Sequence, residues 1–155
     1  MDASTSGVSR RGPAAFAIKH HHGAVSVPDL AAAIDWYARV FGFAIETRVS
    51  LPHVPADVVT LRRDDLRIEL FQVQGAVPAH ADRRVPDLDL RTLGNKHFAF
   101  AVQDLAGVVR ELERMQVDIV LFKQLDFASF AFLRDPAGNL VELTQQPDLW
   151  AVPQP

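Results

Sequence analysis

Apolar residues along this chain follow two periods, and the switch between them happens twice. From residue 21, HHGAVSV alternates as a strand does, and after an Asp-Leu pair AAAIDWYARVFGF spaces its apolar residues as a helix does. From residue 96 the layout returns: KHFAFAV alternates, and another Asp-Leu pair leads into AGVVRELERMQVDI at helical spacing. His22 and His97 stand 75 positions apart, as do Asp29 and Asp104, Leu30 and Leu105, Ile34 and Val109, and Tyr37 and Leu112. The chain contains one layout twice. Asp29 and Asp104 fall where an N-cap belongs, with a carboxylate able to accept from the free amides of the first turn.

Three strand-like runs follow each helix, AIETRVS, ADVVTLRR and LRIELFQ in the first copy and VDIVLFKQ, FASFAFLR and NLVELTQ in the second. Arg63-Asp64-Asp65 and Asp135-Pro136-Ala137-Gly138 separate the last two runs of each copy as turns, Pro136 setting φ and Gly138 tolerating a positive one. Each copy therefore predicts β-α-β-β-β. Alone, such a unit is marginal, because one helix on four strands leaves the other sheet face bare. The expected fold class is α+β, with two tandem βαβββ modules. The expected parts are a flexible N-terminal arm at 1–17, a first module at 18–73, a linker loop at 74–95, a second module at 96–146 and a C-terminal tail at 147–155. The linker is rich in Pro, Asp and Arg, and loops of that length border sites or connect mobile parts.

Composition narrows the chemistry. The 155 residues carry 16 Lys and Arg against 19 Asp and Glu, a net charge of −3, which offers no basic footprint for nucleic acid. No apolar run approaches a membrane span, and the first residues lack the apolar core of a secretion signal, so the expectation is a cytoplasmic protein. There are no cysteines. Disulfides, thiolate metal sites and a cysteine nucleophile are thereby excluded, and a metal must be held by nitrogen and oxygen.

Alternation then assigns faces. Val25 and Val27 turn toward the helix, which leaves His22 on the other face; Phe98, Phe100 and Val102 do the same for His97. Glu69 lies between Ile68 and Leu70, and Glu142 between Val141 and Leu143. Each copy thus carries one His early and one Glu late, 47 and 45 positions apart, pointing away from its helix. An unpaired carboxylate in mid-strand costs several kcal/mol when buried, and a divalent cation removes that cost. His22, Glu69, His97 and Glu142 are the candidate metal ligands, a mixed set suited to Ni, Zn, Co, Mn or Fe. Other residues carry weaker signals: His20 and His21 beside the first strand, His53 and His80 next to loop prolines, Arg83 and Arg84 as a solvated pair or as a grip on an anionic substrate from the linker, and Phe71, Phe127, Phe130 and Phe132 as core or pocket lining.

With these residues in place, HHGAVSVPDLAAAIDWYARVFGF, LRIELFQ, KHFAFAVQDL and FLRDPAGNLVELTQ resemble the vicinal oxygen chelate superfamily, which includes glyoxalase I, bleomycin-resistance proteins, methylmalonyl-CoA epimerase and extradiol dioxygenases. The resemblance spans residues 18–146 and implies a curved mixed sheet around a metal site. Its ligand pattern is closest to glyoxalase I and transfers to His22, Glu69, His97 and Glu142. It implies a small-molecule substrate, a homodimer and a metal-dependent isomerase or lyase. Such an enzyme moves a proton next to a carbonyl by way of a metal-stabilised enediolate, with Glu142, or Glu69 across the ion, as the base. Two departures bear on substrate: the positions where glyoxalase I places an Arg and an Asn for glutathione are Ser26 and Val73. A standard glutathione adduct is therefore not the expected substrate. The alternatives are an Fe(II)-dependent extradiol-type dioxygenase and a non-enzymatic small-molecule binder of the bleomycin-resistance kind.

Overall fold

A computed structural model describes residues 17–150, so most of the expected N-terminal arm and the last five residues of the tail lie outside the described residues. The first module comprises β1 (Gly23–Ser26), α1 (Leu30–Phe41), β2 (Ala44–Leu51), β3 (Ala56–Arg63) and β4 (Leu66–Val73). After a 3-10 turn at Ala81–Arg84 and the single-turn α2 (Pro86–Asp89), the second comprises β5 (Phe98–Val102), α3 (Leu105–Arg114), β6 (Ile119–Gln124), β7 (Ser129–Arg134) and β8 (Leu140–Gln145). The strands form two four-stranded mixed sheets, ordered β1-β4-β3-β2 and β5-β8-β7-β6. In each, the first strand runs parallel to the last and the other pairings are antiparallel.

Both long helices begin as the sequence predicts. The Asp29 side chain accepts from Ala32 N at 3.1 Å, and that of Asp104 from Gly107 N at 2.9 Å. A second cap comes from the sheet. Gln72 Oε1 accepts from Leu30 N at 2.7 Å, and Gln145 Oε1 from Leu105 N at 3.0 Å. Each helix start is thus tied to the last strand of its own module. Gly42, in the left-handed region at φ 69°, ends α1 with its amide on Ala38 O.

The apolar faces of both helices and the backs of both sheets meet in one core. Tyr37, Leu61, Leu70, Leu105, Leu133 and Leu143 are among its fully buried members. Rings join the modules directly, with Tyr37 and Phe41 of α1 beside Phe98 and Phe100 of β5. This is how two marginal units become one domain: each covers the apolar surface the other leaves bare.

A polar network crosses the same seam. Tyr37 Oη donates to Asp135 Oδ2 at 3.2 Å, and the carboxylate also accepts from Ala137 N, Asn139 N and Asn139 Nδ2. Asn139 Nδ2 reaches Ser26 O at 3.2 Å. Burial raises the Asp135 carboxyl above its usual range, partly opposed by the bonds from Asn139 and Tyr37; burial, then Asp135, pushes the Tyr37 hydroxyl well up.

The segment between modules is more ordered than a bare connector. Pro86 starts α2, and Asp89, 1% exposed, lies with Oδ1 2.8 Å from Arg83 Nη1, a charge contact without hydrogen-bond alignment. Arg83 is therefore not the solvated residue the sequence suggests, because a buried carboxylate needs a cation beside it. Among the described residues, no helix is long and apolar enough to cross a membrane.

Because Asp135 titrates above its unfolded value, its contribution falls as pH rises from the ordinary carboxylate range, about pH 4, through the raised folded value. Tyr37→Phe removes a bond that lowers this pKa, so the falling limb should extend to higher pH, with about 1–3 kcal/mol lost near neutrality. Denaturant unfolding of both proteins across that range checks the expectation. Parallel pH curves would refute it.

Candidate metal centre

The parallel ladders position the candidate ligands. In the first module Ala24 of β1 lies opposite Glu69 of β4, and His22 sits two positions before Ala24, on the same face. In the second, Ala99 of β5 lies opposite Glu142 of β8, and His97 sits two positions before Ala99. An alanine between His and Glu leaves room for the imidazole to lean over the ladder. His22 Nε2 comes 3.5 Å from Glu69 Oε2, and His97 Nε2 comes 2.9 Å from Glu142 Oε2. All four side chains are half-buried, between 22% and 35% exposed.

Neighbours hold the rings. Phe132, in register with Glu142, packs edge-on against His97 with centroids 4.8 Å apart. His21 Nδ1 lies 2.7 Å from His22 Nδ1, so one imidazole donates to the other. When His22 is the donor, its Nε2 lone pair is left for a cation, the usual arrangement for a ligating imidazole.

The donor spacing fits a metal ion. Two atoms each about 2.1 Å from one cation stand about 3.0 Å apart at octahedral angles and about 3.4 Å apart at tetrahedral ones. The observed 2.9 and 3.5 Å are close to those separations. The structure brings His22 to Glu69 and His97 to Glu142; among the described residues, it gathers no group of three or more metal-capable side chains within one chain. What one chain presents is two separate His–Glu pairs.

The remaining candidates separate. His20 and His53 are exposed, and His80 caps the 3-10 turn by accepting from Asp82 N at 3.3 Å. Phe71 is half-buried on the Glu69 face, Phe130 and Phe132 share the Glu142 face, and Phe127 is 87% exposed. A cavity of about 680 Å³ lies beside α3 and the end of α1 and touches none of the four candidates.

One group was not anticipated. Arg67, two positions before Glu69 on its face, donates to Glu46 through Nε at 2.7 Å and Nη2 at 2.9 Å, and Arg62 Nη1 adds a third bond at 3.3 Å. Asp118 and Arg134, 3.1 Å apart, repeat the acid-arginine contact in the second module. The signal was an Arg and a Glu on two strands that β3 separates in the sheet, so only the tertiary fold shows that they meet.

The profile of the Glyoxalase/Bleomycin resistance protein/Dioxygenase superfamily matches residues 19–143. The chain belongs to this superfamily. The glyoxalase family protein from Enterococcus faecalis is similar at 21% identity and TM-score 0.69, over 81% of this chain and 96% of that one. The trypanothione-dependent glyoxalase I of Leishmania major is similar at 22% and 0.65, over 86% and 90%. The lactoylglutathione lyase from Agrobacterium tumefaciens is similar at 23% and 0.57, over 92% and 100%. At these identities the likeness shows the superfamily fold alone. No curated protein sequence matches significantly.

Hydrogen bonding from Arg67 lowers the Glu46 carboxyl from its usual value. Its contribution is therefore present above about pH 4 and is lost as pH falls through the lowered value. Glu46→Gln should flatten the acid limb of the stability curve by a small amount, as befits an exposed network. Unfolding measured from neutral to acid pH tests this, and an unchanged acid limb counts against it.

Proposed function

We propose that this superfamily member is a metal-dependent isomerase or lyase of the glyoxalase type, with each metal site completed by a second copy of the chain. One observation carries the reading: an imidazole and a carboxylate stand at the spacing of neighbouring metal ligands at the same register of both modules. His22 and Glu69 would supply two ligands, and His97 and Glu142 of another copy the other two. The sheet backs share one core, so each chain turns both donor faces outward. A two-fold axis then sets the first pair of one copy against the second pair of the other, twice. A divalent ion held there supplies Lewis acidity to a substrate carbonyl.

Glu142 is the base. Its carboxylate is set close to His97, whose ring Phe132 holds in place, so it can take a proton from the carbon beside the carbonyl and return it to the neighbouring carbon. Glu69 is the carboxylate from the other half-site. Around it, register places Phe71 opposite Val58 and Val73 opposite Ala56 on the same face. With Ser26 and Val73 where a peptide carboxylate would need charged or amide donors, the substrate part above Phe71 and Val73 is apolar. A standard glutathione adduct does not match it.

Protein purified without an affinity tag should carry, or take up after chelation and reloading, one divalent ion per chain. A content that stays near zero would point to a metal-free binder, and oxygen-dependent turnover of catechols to a dioxygenase. Glu142→Gln should keep the fold and lose about 10²–10⁴-fold in turnover of hemithioacetals formed from aryl 2-oxoaldehydes and apolar thiols. Undiminished turnover removes Glu142 as base.

The shared site has its own test. The double variants His22→Ala/Glu69→Ala and His97→Ala/Glu142→Ala should each be inactive. Refolded together in equal amounts, they should regain about a quarter of native activity, because half the dimers then hold one intact site of two. No recovery would place all four ligands within one chain.

A further inference from the structure

A second pocket, of about 230 Å³, opens where the start of β1 meets the start of β5, the turn before β8 and the segment between modules. Its wall includes Arg83, Arg84, Lys96, His97 and Asn139. In a chain of net charge −3, this gathering of cations is a local feature rather than a reflection of composition. We infer that this pocket binds a small oxyanion, a carboxylate or phosphate group.

Charge accounting supports the inference. Arg83 is matched by Asp89, whose buried carboxylate it faces at 2.8 Å. Lys96 Nζ donates only to neutral acceptors, Asp89 O at 2.8 Å and Thr92 O. Among the described residues, no carboxylate lies within ion-pair distance of the Arg84 guanidinium. Asp135, in the turn beside the pocket, is turned away and engaged by Tyr37, Ala137 and Asn139. Arg84 and Lys96 therefore contribute two uncompensated positive charges to one concavity.

The fold also positions Arg84. Its carbonyl accepts from Arg134 Nε at 2.8 Å, and its side chain lies across Gly138. A Cβ on residue 138 would stand 2.6 Å from Arg84 Nε, so glycine there admits the guanidinium as well as the turn's φ of +86°. The volume is below the roughly 300–1,000 Å³ of pockets for larger ligands, which suits an ion or one anionic end group. Arginine beside lysine is a donor set that recognises carboxylate and phosphate oxygens.

His97 is common to this pocket and to the proposed metal centre, so anion binding is measured on metal-free protein. Chelator-treated protein is titrated with inorganic phosphate and, separately, with succinate at constant ionic strength, following backbone amide shifts. Saturable shifts at Gly138, Asn139 and Lys96 with either anion are expected, and their selectivity tells phosphate from carboxylate. Arg84→Gln should weaken binding about tenfold, with Arg84→Lys in between. Absence of saturable shifts in the native chain, or equal affinity in Arg84→Gln, overturns the assignment whatever the metal content proves to be.

Discussion

The architecture depends on one constraint: neither module can bury its apolar surface alone. Each contributes one long helix and the back of one four-stranded sheet, and the two halves close a single core. Once both backs are committed inward, both fronts must face out, and every polar residue of the fronts becomes available. The His–Glu pairs are consequences of that division. So is the seam, where Tyr37 and Asn139 hold Asp135 while bridging the modules.

Duplication repeats details finer than the topology. Both helices carry an Asp cap and a Gln from the last strand on the first amide. In both modules the second strand slips register near its start, between Ile45 and Thr47 and between Ile119 and Leu121. Next to each slip an acid meets an arginine of the neighbouring strand, Glu46 with Arg62 and Asp118 with Arg134. Such bulges re-aim side chains at sheet edges. The halves diverge where specificity would be written: Thr60 faces Glu69, whereas Phe132 faces Glu142.

Half-buried imidazole–carboxylate pairs are poorly explained by stability alone. An exposed ion pair contributes at most about 1 kcal/mol, and a strand interior prefers apolar or β-branched residues at those positions. Two such pairs at one register are what the proposed metal centre accounts for. The segment between modules adds a different resource, cations held by a buried aspartate and by backbone carbonyls, placed where β1 and β5 begin.

Much of this was present in the order of residues. Period-2 and helical stretches recurring 75 positions apart specified two βαβββ units, because side-chain direction in strands and helices is a local geometric property. The same alternation put His22, Glu69, His97 and Glu142 on the faces away from the helices. Local rules could not say which donors meet, since that depends on the parallel pairing of the first and last strand of each module, over forty residues apart. Nor could they show Arg83 turning inward to Asp89, Arg67 bridging to Glu46, or Arg84 lying across Gly138. Sequence determined the elements and their faces; the tertiary fold decided the partners, because a charged side chain's neighbour is set by packing across the chain and not by its place along it.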